Sequence, residues 1–336
     1  MIMNNGFSKR GKIRIVDFED KYLEAAAEIF IQNFKLIQNE YSLLPKRYGS
    51  KKIVLELLKK TLKRNYGVIA LLDDKVIGYL SGAIISKFKS SFKGVYTPEW
   101  AHGSVPDGRN DIYSAMYNMI STKWFKDKCI VHAITAMGYE SELINHLFWT
   151  GYGMHVVDAV SEIKEKYYFK SSEIDIRIAD KNDIYQLEEL LKEHIEYMTS
   201  GPIFLYAGKI SIEEEIENWF NDQQRVLWVA ESKGEILGYM NTVSHATNAC
   251  TIVRSEKTLS IQGTHVREKS RRLRVGETLL KKAHEYALEN GYEMLSVDFE
   301  SANNQATRFW LKHFKPVCYS LIRYIDDRSR QRDRFI

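Results

Sequence analysis

The residues best placed to do chemistry lie between Thr264 and Phe314. A strand-like segment, Leu259-Ser-Ile-Gln-Gly-Thr-His-Val266, runs into a basic loop, Arg267-Glu-Lys-Ser-Arg-Arg-Leu-Arg274, and Val275-Gly276 then opens a helix expected over about 277–290. The first turn of a helix leaves backbone N–H groups without intrahelical acceptors, and the helix dipole adds positive potential at that end. A strand feeding a basic loop that opens a helix is therefore suited to hold a phosphate, and neighbouring arginines add charge-assisted bonds. A glycine in the first turn lets an anion reach the main chain where a Cβ would obstruct it. The expected anion-binding set is Arg271, Arg272, Leu273, Arg274, Val275, Gly276 and Glu277. Read alone, the five basic residues Arg267, Lys269, Arg271, Arg272 and Arg274 also fit a solvated loop or a nonspecific polyanion patch.

A second strand, Met294-Leu-Ser-Val-Asp-Phe-Glu300, places Asp298 and Glu300 on one face by alternation, with Val297 and Phe299 on the other. A carboxylate beside a cleft acts as a general base when burial raises its pKa. The same pair also fits a solvent-facing role or the binding of a cationic substrate. His265 is a third candidate base, or a structural strand histidine. Beyond this strand comes Asn303-x-x-Ala306-x-x-Phe309-Trp310-x-x-His313-Phe314. Asn303 is suited to cap a helix, and Ala306 and Phe309 have the spacing of a core face.

Together these two segments resemble the acyl-CoA-binding core of the GNAT N-acyltransferases. The family's Q/R-x-x-G-x-G/A signature corresponds to Arg271-Arg272-Leu273-Arg274-Val275-Gly276, and its later N-x-x-A-x-x-F-Y-x-x-x-G-F to Asn303 through Phe314. Order agrees across about fifty residues. Arg274 and His313 replace glycines, and Trp310 replaces the usual tyrosine. The resemblance implies acetyl-CoA as cofactor, with its phosphates on the basic loop and its pantetheine arm near Asn303, Phe309 and Trp310. It also implies a β-bulge around Thr264, His265 and Val266, with the Val266 N–H stabilising the oxyanion. Amine attack would be direct, in a ternary complex. The family's tyrosine protonates the leaving thiolate, which an indole cannot do. Tyr319 and Tyr292 are candidates by proximity in sequence, with water, slow transfer or loss of catalysis as alternatives. The expected catalytic set is thus Glu300, Asp298 and Tyr319.

The elements that must position these residues recur at an offset of about 160 residues. Ile13-Arg-Ile-Val16 matches Ile176-Arg-Ile-Ala179, and Val68-Ile-Ala70 with Val76-Ile-Gly-Tyr79 matches Trp228-Val-Ala230 with Ile236-Leu-Gly-Tyr239. The expectation is a tandem pair, 1–165 and 174–336, joined through 164–173. Each would be a GNAT-like α/β layer with a mixed, mostly antiparallel, splayed sheet flanked by helices. Aligning Val105 to Ser114 with Val266 to Gly276 sets Arg109 against Arg271 and leaves the first copy without the glycines, a degenerate site. Asp183 is expected to cap a helix bearing Ile184, Leu187, Leu190 and Leu191.

Composition bounds the rest. Three scattered cysteines make neither a disulfide framework nor a zinc site, and the start of the chain has no signal-peptide core. A net charge of +4 does not argue for nucleic acid, and no apolar run reaches membrane-spanning length. The expectation is a cytoplasmic monomer or homodimer acting on an amine of a small molecule or peptide. Two rivals are a non-catalytic acyl-CoA-binding sensor, and an aminoacyl or peptidyl transferase with tandem GNAT-like domains whose basic loop meets tRNA.

Overall fold

A computed structural model describes residues 12–62, 67–88, 92–163, 174–246 and 249–328, so the expected join at 164–173 lies outside the described residues. By contacts the chain divides into one unit of residues 1–42, 46–154 and 320–336 and another of residues 43–45 and 155–319. The expected boundaries were 1–165 and 174–336.

The first unit contains β1 (Arg14–Asp17), α1 (Leu23–Glu40), α2 (Lys51–Leu62), β2 (Gly67–Leu72), β3 (Lys75–Ser81), β4 (Ala83–Phe88), β5 (Phe92–Thr97), β6 (His102–Ser104), α3 (Arg109–Lys126), β7 (Val131–Met137) and α4 (Ser141–Trp149). Its strands β1, β2, β3 and β6 pair antiparallel in that order, while β4 pairs antiparallel with β5 and β5 parallel with β7. Along α1, Leu23, Ala26, Ala27, Phe30, Phe34 and Ile37 keep the three-and-four spacing of one helix face, and all are buried.

The strand β8 (Gly153–Glu162) enters the second unit from His155 onward, because it pairs antiparallel with β13 (Met294–Glu300) from Val156 to Glu162. The rest of this unit is β9 (Asp175–Ile178), α5 (Ile184–Thr199), α6 (Ile212–Asn221), β10 (Arg225–Ser232), β11 (Glu235–Ser244), β12 (Thr258–Val266), α7 (Val275–Glu289) and α8 (Asn304–His313). It closes with the first half of β14 (Lys315–Tyr324). Strands β9 to β12 form an antiparallel meander, and β12 then runs parallel to β13. The β10–β11 hairpin turns on Lys233 and Gly234 at φ 53° and 79°, the paired positive values that a two-residue hairpin turn requires.

Burial follows the periodicities in the sequence. On α5, Leu187, Leu190 and Leu191 pack with Ile216, Trp219, Val229 and Tyr239. On α7, Val275, Leu279, Ala283 and Ala287 are buried, and Gly291 at φ 72° follows the Asn290 cap. The helix starts at Val275, two residues before the expected start. Asp183 precedes α5 without capping it. Its carboxylate turns back instead to accept the Asp180 N–H at 2.8 Å and both Nη groups of Arg177 at 2.7 and 2.8 Å. Among the described residues no helix is long and apolar enough to cross a membrane.

Candidate active site

In the second unit β12 and β13 begin side by side and then part. Their parallel pairing covers Thr258–Ile261 against Met294–Val297 and stops there. The next residues of β12 remain paired to β11, and Asp298 to Glu300 remain paired to β8. A wedge therefore opens between the two strands. The register shift on β12 falls between Ile261 and Gly263, so Gln262 is the extra residue of the bulge. This corrects the expected bulge at Thr264 to Val266, which keep regular pairing with Met240 to Gly238. The Arg267 N–H bonds to Leu237 O on β11 at 2.9 Å, so by alternation the Val266 N–H points the other way, into the wedge.

A cleft of about 380 Å³ lies beside this end of β12, lined by Thr264, His265 and Val266, by Arg271, Arg272, Arg274, Gly276 and Glu277, and by α8. Arg274 adopts the left-handed conformation at φ 61° and ψ 22° and serves as the N-cap of α7. The first regular α7 bond from this cap is Thr278 N to Arg274 O at 3.0 Å, so the N–H groups of Val275, Gly276 and Glu277 precede it. A Cβ built on Gly276 would stand 3.4 Å from Cε2 and Cζ of Phe309, so glycine keeps the passage between α7 and α8 open.

The basic loop divides into two groups. Arg267 is tied to Glu193 and Glu189 and donates to Ile236 O at 2.9 Å, and Lys269 pairs with Glu235 at 2.5 Å. Neither lines the cleft, whereas Arg271, Arg272 and Arg274 do. Arg271 Nε donates to Val266 O at 3.3 Å, and its guanidinium lies 5.0 Å from the centroid of the Tyr197 ring. Glu277 lines the cleft with its carboxylate held by Lys312 at 2.5 Å, which keeps its pKa below the usual range. Leu273 is exposed and does not line the cleft.

The other predicted residues divide in the same way. Asn303 caps α8, accepting the Ala306 N–H at 3.1 Å. Phe309 and Trp310 meet edge to face at 4.8 Å between centroids, and both line the cleft. Asp298, Glu300 and Tyr319 do not line it. Asp298 is exposed, Glu300 sits 3.3 Å from His155 Nδ1, and Tyr319 is half-buried on β14. Tyr292, the other candidate acid, bonds to the Ser244 hydroxyl at 2.8 Å.

Two further groups that line the cleft, His194 and Tyr197, come from α5, more than sixty residues earlier in the chain. His194 stacks on His265 at 5.1 Å and 19° between ring planes, and its Nδ1 lies 2.7 Å from the Tyr239 hydroxyl. Burial pushes both imidazoles down to about 4, aided for His265 by the Arg271 and Arg267 cations. Both rings are therefore neutral at pH 7. Glu193 Oε2 lies 3.5 Å from His265 Nε2, an ion-pair contact only for a protonated ring, which burial opposes. Tyr197 donates its hydroxyl to Asn303 Oδ1 at 2.8 Å. Histidine and tyrosine at helical spacing, His194 and Tyr197, were the available sequence signal, and nothing local connected them to β12 or α8.

The first unit handles the equivalent place differently. Gly108, at φ 71°, caps α3 where Arg274 caps α7. Arg109 is thus the counterpart of Val275, which corrects its expected alignment with Arg271. Glu140 precedes α4 as Asn303 precedes α8. Arg109 Nη1 donates to Glu140 Oε1 at 3.1 Å, and the Met137 N–H bonds to Oε2 at 3.1 Å, with both side chains under a tenth exposed.

Residues 187–314 match the acetyltransferase (GNAT) family. The second unit carries this GNAT-matching segment. A relative described as an uncharacterized N-acetyltransferase of Archaeoglobus fulgidus is 29% identical over 142 residues, covering 41% of this chain and 89% of the relative. The GCN5-related N-acetyltransferase of Sphaerobacter thermophilus superposes with a TM-score of 0.59 over 93% of this chain and 95% of its own, at 12% identity. A glucosamine N-acetyltransferase region within a fungal multi-domain β-N-acetylglucosaminidase gives 0.54 at 11% identity, covering 94% of this chain and 38% of that one. At these identities the structural likeness is one of fold. The GNAT fold accounts for the mixed α/β architecture of both units, and acyl transfer is the family's general reaction.

Proposed function

We propose that the second unit transfers an acetyl group from acetyl-CoA to an amine of a small molecule or peptide, by direct attack in a ternary complex. The observation that carries this reading is the wedge between β12 and β13, opening beside a helix N-terminus with Arg271, Arg272 and Arg274 around it. Acetyl-CoA, when bound, supplies the activated acyl group. The residues fit it: Gly276 leaves a passage that a Cβ would narrow, and the N–H groups of Val275 to Glu277 and three arginines offer anion contacts. The Val266 N–H stabilises the developing oxyanion, and the β12 edge orients the chain that lies along it. His265 and His194, neutral at pH 7, take the place of Asp298 and Glu300 as candidate bases for the amine proton.

The first unit then has no nucleotide site. Its Arg109–Glu140 pair occupies the place where the second unit turns its helix N-terminus to the cleft. The protein acts in the cytoplasm, as a monomer or homodimer. A second reading, a binding protein without turnover, is favoured by Trp310, which has no hydroxyl to offer a leaving thiolate. Release of free thiol from acetyl-CoA in the presence of a broad amine panel tests the two. Acceptor-dependent release supports transfer, and tight binding with no release for any amine supports the binder.

A further inference from the structure

We propose that Tyr197 protonates the sulfur of the departing coenzyme, replacing from α5 the hydroxyl that α8 lacks at Trp310. This rests on the acetyl-CoA reading of the cleft. The two residues of the cleft wall that carry hydroxyl groups are Tyr197 and Thr264. A phenol with an ordinary pKa near ~10 is closely matched to a thiol near ~8.5, which an aliphatic alcohol is not. Two contacts hold Tyr197, and the acceptor of one is itself fixed. Its hydroxyl donates to Asn303 Oδ1 at 2.8 Å, that oxygen also takes the Ala306 N–H at 3.1 Å, and Arg271 covers the ring at 5.0 Å.

The capping bond fixes which end of the Asn303 amide faces Tyr197. The oxygen must point at the helix N-terminus, so the phenol is the donor in that pair. Rotation about the phenolic C–O bond redirects the proton to a sulfur beside it, while Asn303 Oδ1 keeps its backbone partner. Burial raises the Tyr197 pKa and the Arg271 cation pulls it back, so the phenol is protonated before transfer and its anion has a cation beside it afterwards.

The step balances. The amine nitrogen bonds to the acyl carbon, the carbon–sulfur bond breaks, and its electron pair stays on sulfur. The Tyr197 O–H proton moves to sulfur and gives the free thiol. The amine proton leaves through the histidine pair to water, and the Tyr197 phenolate regains a proton from water. Asn303 is a positioning residue in this scheme.

The test is a binding cycle that needs no acceptor. CoA and desulfo-CoA are titrated calorimetrically at pH 8.5 into the wild type and Tyr197→Phe. A bond from the phenol to a thiolate is charge-assisted, so removing it lowers CoA affinity about 10-fold or more. Desulfo-CoA affinity stays the same in both proteins. The absorbance titration of bound CoA shows its thiol pKa raised by about one unit in Tyr197→Phe. Equal losses for both ligands, or no loss for either, overturn the proposal while leaving the cofactor site standing. Failure of the wild type to bind either ligand removes the site reading itself. Asn303 Oδ1 keeps the Ala306 N–H in Tyr197→Phe, so an unchanged melting temperature checks that the variant is folded.

Discussion

Replacing Gly276 by alanine separates stability from binding in a way that only an anion site at the α7 N-terminus explains. The new Cβ would stand 3.4 Å from two carbons of Phe309, ordinary van der Waals contact, and Gly276 lies within the helix rather than in a left-handed turn. The fold therefore accepts the methyl group. Helix propensity favours alanine over glycine by up to about 1 kcal/mol in a helix interior, and by less in a first turn. The melting temperature should hold or rise slightly. A phosphate oxygen must come to about 2.9 Å from a main-chain nitrogen, and the methyl group narrows that path. Losing one charge-assisted bond costs about 1.5–3 kcal/mol, which is roughly 10- to 150-fold in affinity. Calorimetric titration with acetyl-CoA, paired with a thermal melt, reads both effects. Unchanged affinity, or a loss of affinity that merely follows a fall in melting temperature, refutes the assignment of this helix end.

Three further outcomes are expected. Reversing Arg272 to glutamate should weaken CoA more than dephospho-CoA, and equal losses would remove it from the ribose phosphate. His102, His132 and His284 are also buried with pKa values near 4, like His194 and His265. The unfolded chain binds protons that the native chain refuses between about pH 6.5 and 4, so stability falls as pH drops through that window, by up to about 3 kcal/mol per histidine. Melts at pH 7 and pH 5 check this, and equal melting temperatures would contradict it. Replacing Arg109 by leucine should cost about 3–5 kcal/mol by stranding Glu140, while Arg109→Leu with Glu140→Leu should cost less than the single change. Urea denaturation of the two variants decides it, and a larger loss in the double variant would show the pair to be a net source of stability.

Strong periodicity made much of the architecture legible. The α5 stripe, the helix after Gly276 and the strand from Met294 to Glu300 were visible because each depends on neighbours within one element. The boundary between units was not, because Val156 to Glu162 belong by pairing to β13, and no local pattern announces a strand's partner. The bulge at Gln262 escaped because it is a property of two strands in register. The cofactor wall was legible as a run in sequence, from Arg271 to Gly276 and from Asn303 to Trp310. Its opposite wall, His194 and Tyr197, arrives from α5 through tertiary packing. Asp298 and Glu300 were attractive because strand alternation put them on one face, but that strand leaves the cleft where it parts from β12.

The central claim, one working cofactor site per chain, is tested most directly by titrating the protein with acetyl-CoA in a calorimeter. Saturation at one molecule per chain is the predicted result. Two molecules per chain would place a site in the first unit despite its Arg109–Glu140 pair, and no binding would contradict the acetyl-CoA assignment of the cleft.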